Sequence, residues 1–324
     1  MNKPTSFPQK DSLLERASEA FDFTAALRGQ GLPPLAVASE PEQAAPVVAA
    51  PVAPTPQTAP VAPPPIFRAR DWNGPAQRLD RKAMAEAGYL IPDGPVSGLG
   101  EEFRIVKREL LSSIRGSKQQ APSPDGPSPD GKVILIASAH PGDGKTYCAI
   151  NLAVSLAAES DLEVLLVDGD FGKPSIVKAL GLHAEKGFMD ALTDPAQPVE
   201  QCVIPTDVPS LFVLPSGQST NRDAEYLASS RMEQVVASLV AGRPNRVVIF
   251  DSPPLLAASP AAALAAHAGQ TLLVVRADRT TDAALRDAAN LLRGCGDIRL
   301  LLNGVKFSAS GRRFGTYYGK EGEA

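Results

Sequence analysis

The chain has 324 residues, a formal net charge of -4 and 44% hydrophobic residues, enough for one sizeable core but with no electrostatic reason to expect nucleic acid as a general partner. Its 31 prolines are unevenly spread, which separates folded from linker sequence. Cys148, Cys202 and Cys295 are odd in number and lack metal-ligand spacing, so neither a disulfide framework nor a zinc site is expected, and a reduced, cytoplasmic compartment fits.

Residues 1–32 are expected to hold a short amphipathic helix, because Leu13, Leu14, Ala17, Ala20 and Phe21 recur at helical spacing. This opening stretch has no continuous apolar core of a signal peptide, and no run of about 18 apolar residues occurs anywhere, so neither standard secretion nor membrane spanning is expected. Residues 33–75 are a Pro/Ala-rich linker, since proline cannot donate the backbone hydrogen bonds that a helix or sheet needs. Residues 76–117 carry "DRKAMAEAGYLIPDG" and then "GLGEEFRIVKRELLSSIRG", a helix that puts Phe103, Val106, Leu110 and Leu111 on one face. A second linker, 118–131, contains the unit PSPDG written twice.

From 132 to 306 short branched runs alternate with helical stretches. "KVILIAS", "EVLLVD", "RVVIFD", "TLLVVRA" and "IRLLLN" read as strands, while "YCAINLAVSLAAES" and "DAALRDAANLLRG" read as helices. Fully apolar strands imply a sheet covered on both faces, so the expected fold is a doubly wound, mostly parallel α/β domain with its ligand site at the carboxyl ends of the strands. Residues 307–324 are Gly-rich and polar, and are read as a mobile tail carrying Tyr317 and Tyr318, two of the five tyrosines in the chain.

Three segments inside the domain carry chemistry. "AHPGDGKTY", residues 139–147, nearly matches the phosphate-binding loop G-x-x-x-x-G-K-[ST], with Ala139 at the first glycine position. Gly142, Asp143 and Gly144 make the bend that brings backbone N–H groups to a phosphate, Lys145 reaches its outer oxygens, and Thr146 is a Mg²⁺ ligand. Tyr147 is counted with the nucleotide-binding residues of this segment and is expected to pack in the following helix. "VLLVDGDFGKP" ends a strand with Asp168 and Asp170, which point the same way from extended backbone. "VVIFDSPPLL" ends another in Asp251, the pattern of a Walker B strand whose aspartate holds a metal-bound water. Thr146 and Asp251 are therefore the expected metal ligands.

These segments resemble the bacterial tyrosine kinases, which are related to the MinD/ParA ATPases and share their P-loop fold. The family loop P-G-[DE]-G-K-[ST] is matched by "PGDGKT", whereas the signature lysine of MinD/ParA loops is aligned with His140. The family motif D-x-D-x-x-[RK]-P is matched by "DGDFGKP" with Lys173, and "EEFRIVKREL" is similar to its E-x-x-R-x-x-R oligomerisation helix at Glu101, Arg104 and Lys107. The likeness is greatest to stand-alone autokinases of exopolysaccharide and exosortase (PEP-CTERM) loci.

The resemblance implies an ATP- and Mg²⁺-dependent protein-tyrosine autokinase. Lys145 and Asp170 would be its catalytic residues, Asp168 its third Mg²⁺ ligand, Tyr317 and Tyr318 its phosphoacceptors, and Asn303 a contact to the adenine base, with a strand-ending turn as the other reading of Asn303. It further implies a homo-oligomer and a polytopic membrane chain-length determinant of the Wzz type that recruits the chain to the inner membrane. A tyrosine phosphatase is a further implied partner. The alternative expectation is a non-kinase P-loop ATPase switch, MinD/ParA-like, that controls assembly of a membrane polysaccharide machine.

Overall fold

A computed structural model describes residue 72, residues 74–117 and residues 131–305. The helix expected within 1–32, nearly all of the 33–75 linker, the PSPDG repeat and the tail with Tyr317 and Tyr318 lie outside the described residues.

The described strands are β1 (Val133–Ser138), β2 (Glu163–Asp168), β3 (Ile204–Pro205), β4 (Leu211–Leu214), β5 (Arg246–Asp251), β6 (Gln270–Arg276) and β7 (Ile298–Asn303). They form one sheet in the order β3-β4-β2-β5-β1-β6-β7. All pairings are parallel except β3 with β4. β3 and β4 were not legible as strands in "IPTDVPSLFVL", because so short a run shows no period of its own.

Alternate residues of a strand face opposite sides, and the sheet divides its apolar content accordingly. Val133, Leu135, Leu165, Val248 and Leu273 enter one core, while Ile134, Ile136, Leu166, Ile249 and Leu272 enter the other. The second core is closed by four helices, α1 (Arg81–Glu86), α2 (Gly98–Ser117), α3 (Lys145–Ala157) and α4 (Ile176–Leu180). Helices α5 (Phe188–Thr193), α6 (Asp223–Leu227), α7 (Ser230–Val240), α8 (Pro260–Ala265) and α9 (Asp282–Leu291) cover the first. The expected sheet covered on both faces is therefore present, with β7 as its exception. β7 is an edge strand on which Ile298, Leu300 and Leu302 are 37%, 61% and 59% exposed, so its apolar run marks an uncovered face rather than a buried one.

Residues 76–117 are built into the domain. Met84 of α1 and Phe103, Leu110 and Ile114 of α2 are buried in the same core as α3, each such side chain contributing about 1.5–3 kcal/mol. Lys107 is 7% exposed, donates to the Ser155 carbonyl at 2.9 Å and pairs with Glu159 at 2.5 Å, so its ammonium is spent on α3 and its end. Glu101 and Arg104 pair with each other one turn apart on the outer side of α2. Lys107→Ala is expected to lower stability by about 1–3 kcal/mol through the lost charge-assisted hydrogen bond. Urea unfolding checks this, and Lys107→Arg, too large for a buried site, should recover only part of the loss.

Candidate functional site

The loop between β1 and α3 lies at the carboxyl edge of the sheet, between the ends of β5 and β6 that flank β1. Gly142 and Gly144 adopt φ of 81° and 104°, in the left-handed region that glycine alone enters freely. Ala139 is tolerated where the motif has glycine because its backbone has no positive φ and its methyl group is buried in the core. Asp143 is also fully buried, and its Oδ2 accepts the His140 N–H at 2.9 Å. It shapes the loop from beneath rather than facing the pocket.

Thr146 Oγ1 donates to Asp251 Oδ2 at 2.6 Å, joining the start of α3 to the end of β5. The other oxygen of Asp251 is buried and has no partner among the described residues. Burial, followed by the nearby Asp168 charge, pushes the Asp251 carboxyl up to about 8 against the pull of Thr146 and Lys145. Asp168 stands opposite Asp251 in the β2–β5 register. Its Oδ2 accepts the N–H groups of Ser175 and Ile176 at 2.9 and 3.0 Å, and its Oδ1 accepts that of Asp170 at 3.3 Å. Asp168 thus anchors the loop that carries Asp170 and Lys173.

Asp170 is half-buried beside Lys145, and its Oδ1 accepts the Lys173 N–H at 3.1 Å. Burial raises its carboxyl above the ordinary value, with the two lysines opposing. Lys145, Thr146, Asp170, Lys173 and the Pro141–Gly142 backbone line one open cavity of about 440 Å³. Two of the sequence motifs therefore converge on it, and Pro254 brings in the third.

An orphaned, buried carboxylate oxygen beside a threonine hydroxyl fits a divalent cation. Among the described residues no group of three or more His, Cys, Asp or Glu could hold a metal. Mg²⁺ takes most of its ligands from substrate phosphates and water.

Two features were not read from the sequence. Tyr147 lies in the first turn of α3 and packs partly buried against its core, and it also stacks on Tyr89 with ring centroids 5.4 Å apart while its hydroxyl donates to the Gly88 carbonyl at 2.9 Å. The "AGYLIPDG" turn is thereby clamped to the loop, and the Leu90 N–H adds a 2.7 Å bond to Asn151 of α3. Arg279, in the loop after β6, reaches the Pro141 carbonyl at 3.4 Å. Neither contact has a sequence signal, since each joins residues far apart in the chain. Asn303, at the end of β7, donates its amide to the Asp143 carbonyl at 2.8 Å, which places it against the loop.

Among known proteins, the AAA domain family matches residues 131–303. The chain is 34% identical over 236 residues to the tyrosine-protein kinase YwqD of Bacillus subtilis, covering 72% of this chain and 92% of that protein. It is 30% identical to the tyrosine-protein kinase Wzc of Salmonella typhimurium over 52% of this chain, but spans only 22% of that longer protein. In structure it is similar to the kinase domain of the Escherichia coli tyrosine kinase ETK, at 27% identity and a TM-score of 0.50 over 57% of this chain and 72% of that one. The BceF tyrosine kinase domain gives 26% identity and a TM-score of 0.51 over 62% and 76%.

Proposed function

The chain belongs to the bacterial tyrosine-protein kinases and carries an AAA domain over 131–303, and from that premise we propose that it transfers the γ-phosphoryl group of ATP to Tyr317 and Tyr318 of its own C-terminal tail. The observation that carries this reading is the cavity that Lys145 and Thr146, the latter bonded to the buried Asp251, share with the half-buried carboxylate of Asp170.

Gly142 and Gly144 let backbone N–H groups face the polyphosphate, and the start of α3 adds its partial positive charge. Lys145 neutralises charge on the outer phosphates. Thr146 and Asp251, with Asp168 beside them, would hold Mg²⁺, whose chemistry is to offset the negative charge of the β- and γ-phosphates. Asp170 orients the tyrosine hydroxyl and takes its proton as the phenolic oxygen bonds to the γ-phosphorus and the bond to ADP breaks. A carboxyl raised by burial is a stronger base than a solvated one, which suits that role.

Each phosphate adds about -1.5 to -2 charges to the tail, which then opposes Asp168, Asp170 and the bound nucleotide. Phosphorylation so disfavours return of the tail to the cavity. This gives a physical route by which it loosens an assembly of copies joined through Glu101 and Arg104, with the chain-length determinant as membrane anchor and a tyrosine phosphatase as the reset. The regulated process in this proposal is exopolysaccharide chain length and export. Among the described residues no helix is long and apolar enough to cross a membrane.

The test is to incubate the full chain with Mg·ATP and map phosphate on the C-terminal peptide by mass spectrometry. Asp170→Asn is expected to lower the rate about 100-fold or more with ATP affinity within about twofold. Full-rate phosphorylation in that variant would remove Asp170 from the mechanism. An unmodified tail in protein that binds ATP and is supplied with the membrane partner would favour the MinD/ParA-like switch.

A further inference from the structure

Arg279 stands over the phosphate loop from a different part of the chain. The turn that carries it, between β6 and α9, is closed by its own bonds: the Arg276 carbonyl accepts the N–H groups of Arg279 at 3.2 Å and Thr280 at 3.0 Å, and Thr280 Oγ1 accepts the Arg276 N–H at 3.0 Å. Asp278, just before Arg279, has φ 61°, a left-handed conformation that residues other than glycine enter at a cost and that clusters at functional sites. The guanidinium lies against Gly142, where an added Cβ would meet Arg279 Nη1 at 3.2 Å and its Cζ and Nη2 at 3.9 Å. Nη2 donates to the Pro141 carbonyl at 3.4 Å. Among the described residues no carboxylate pairs with this cation.

We propose that Arg279 is a positioning residue for phosphate binding, which holds the Pro141–Gly142 peptide in the orientation that turns the Gly142 N–H into the cavity. This rests on the ATP reading above and deepens it by naming what aims the loop. In a trans peptide the C=O and N–H point opposite ways, and among the described residues there is no cis peptide bond. A carbonyl drawn toward Arg279 therefore sends the N–H away from it. Pro141 and Gly142 line the 440 Å³ cavity and Arg279 does not, so the N–H faces the side where phosphate would sit.

This peptide is the soft point of the loop. The proline ring fixes φ at 141 but leaves ψ free, and glycine tolerates φ of either sign, so the plane between them can turn over at little cost. Among the described residues no other group bonds the Pro141 carbonyl, and the Gly142 N–H has no acceptor. Turned over, the carbonyl oxygen would face the phosphate and repel it. Because Arg279 is exposed and its bond is long, it adds little to folding, and its effect falls on the ligand.

The experiment measures Mg·ATP and Mg·tripolyphosphate binding to the full chain by calorimetry in the wild type, Arg279→Met and Arg279→Lys. Arg279→Met is expected to weaken both ligands by the same factor, about tenfold, the lower end for a hydrogen bond to a charged group, with the melting temperature of the free protein unchanged. Lysine keeps the reach and a donor, so it should recover most of the loss. The Gly142 amide resonance of the free protein, read by ¹⁵N NMR, should shift in Arg279→Met and return with lysine. Equal affinity in wild type and Arg279→Met overturns the inference and leaves the ATP reading standing. So does a loss confined to ATP, which would assign Arg279 to the nucleoside, or one that vanishes between about 0.1 and 1 M salt, where a charge acting at a distance is screened. A lowered melting temperature in Arg279→Met makes the residue structural and likewise overturns the inference. Wild-type protein that binds neither ligand refutes the ATP reading itself.

Discussion

Lys145→Met is expected to abolish phosphorylation of the tail, with a fall of at least about 10³-fold in rate. Lys145 is 6% exposed, lines the 440 Å³ cavity and acts electrostatically on both Asp170 and Asp251. Methionine preserves the length and packing of the stem but removes the cation facing the outer phosphates. Because phosphoryl transfer depends on positioning and charge stabilisation more than on covalent help from the protein, that loss falls directly on the transition state. The peptide containing Tyr317 and Tyr318 should carry no phosphate above background after incubation with Mg·ATP. A variant retaining more than about a tenth of the wild-type rate, far short of the loss expected of one such cation, would show that Lys145 is not the phosphate cation.

Gly144→Ala is expected to have the second largest effect, for a reason that lies in the backbone. Gly144 caps α3 at φ 104°, and an added Cβ would meet the Asn303 amide at 2.1 Å. The strained dihedral alone costs about 1–3 kcal/mol, and Asn303 must also give up its hydrogen bond to the Asp143 carbonyl, worth about 1 kcal/mol. Together these should lower the melting temperature by several degrees, at about 2–4 °C per kcal/mol for a domain of this size, and weaken ATP. Gly142→Ala makes the informative comparison. It shares the positive φ, but its new methyl would meet only the end of the Arg279 side chain at 3.2 Å, which can swing away. Equal losses from the two variants would mean that the Asn303 contact contributes nothing.

The sequence by itself determined the elements that carry chemistry. "VILIAS", "EVLLVD" and "RVVIFD" are short, branched and apolar, and each ends at a residue or loop of the site, so strand and functional position were legible together. The loop at 139–147 was equally legible because its glycines and lysine–threonine pair are local requirements of phosphate binding. The Tyr89 partner of Tyr147 was not legible because a helical pattern does not say which foreign ring will stack on it, and β7 was read as buried because apolar content does not reveal an edge.

Only the tertiary structure decided three matters. It set the order β3-β4-β2-β5-β1-β6-β7, which puts Asp168 opposite Asp251. It showed that Asp168 spends its oxygens on backbone donors while Asp251 keeps one free. And it turned Lys107 inward, away from the outer charges of α2. The physical reason is common to all three. Periodicity and motif spacing report what each residue needs from its neighbours in the chain, whereas strand order, partners and burial are set by contacts between segments that meet only when both faces of the sheet are covered.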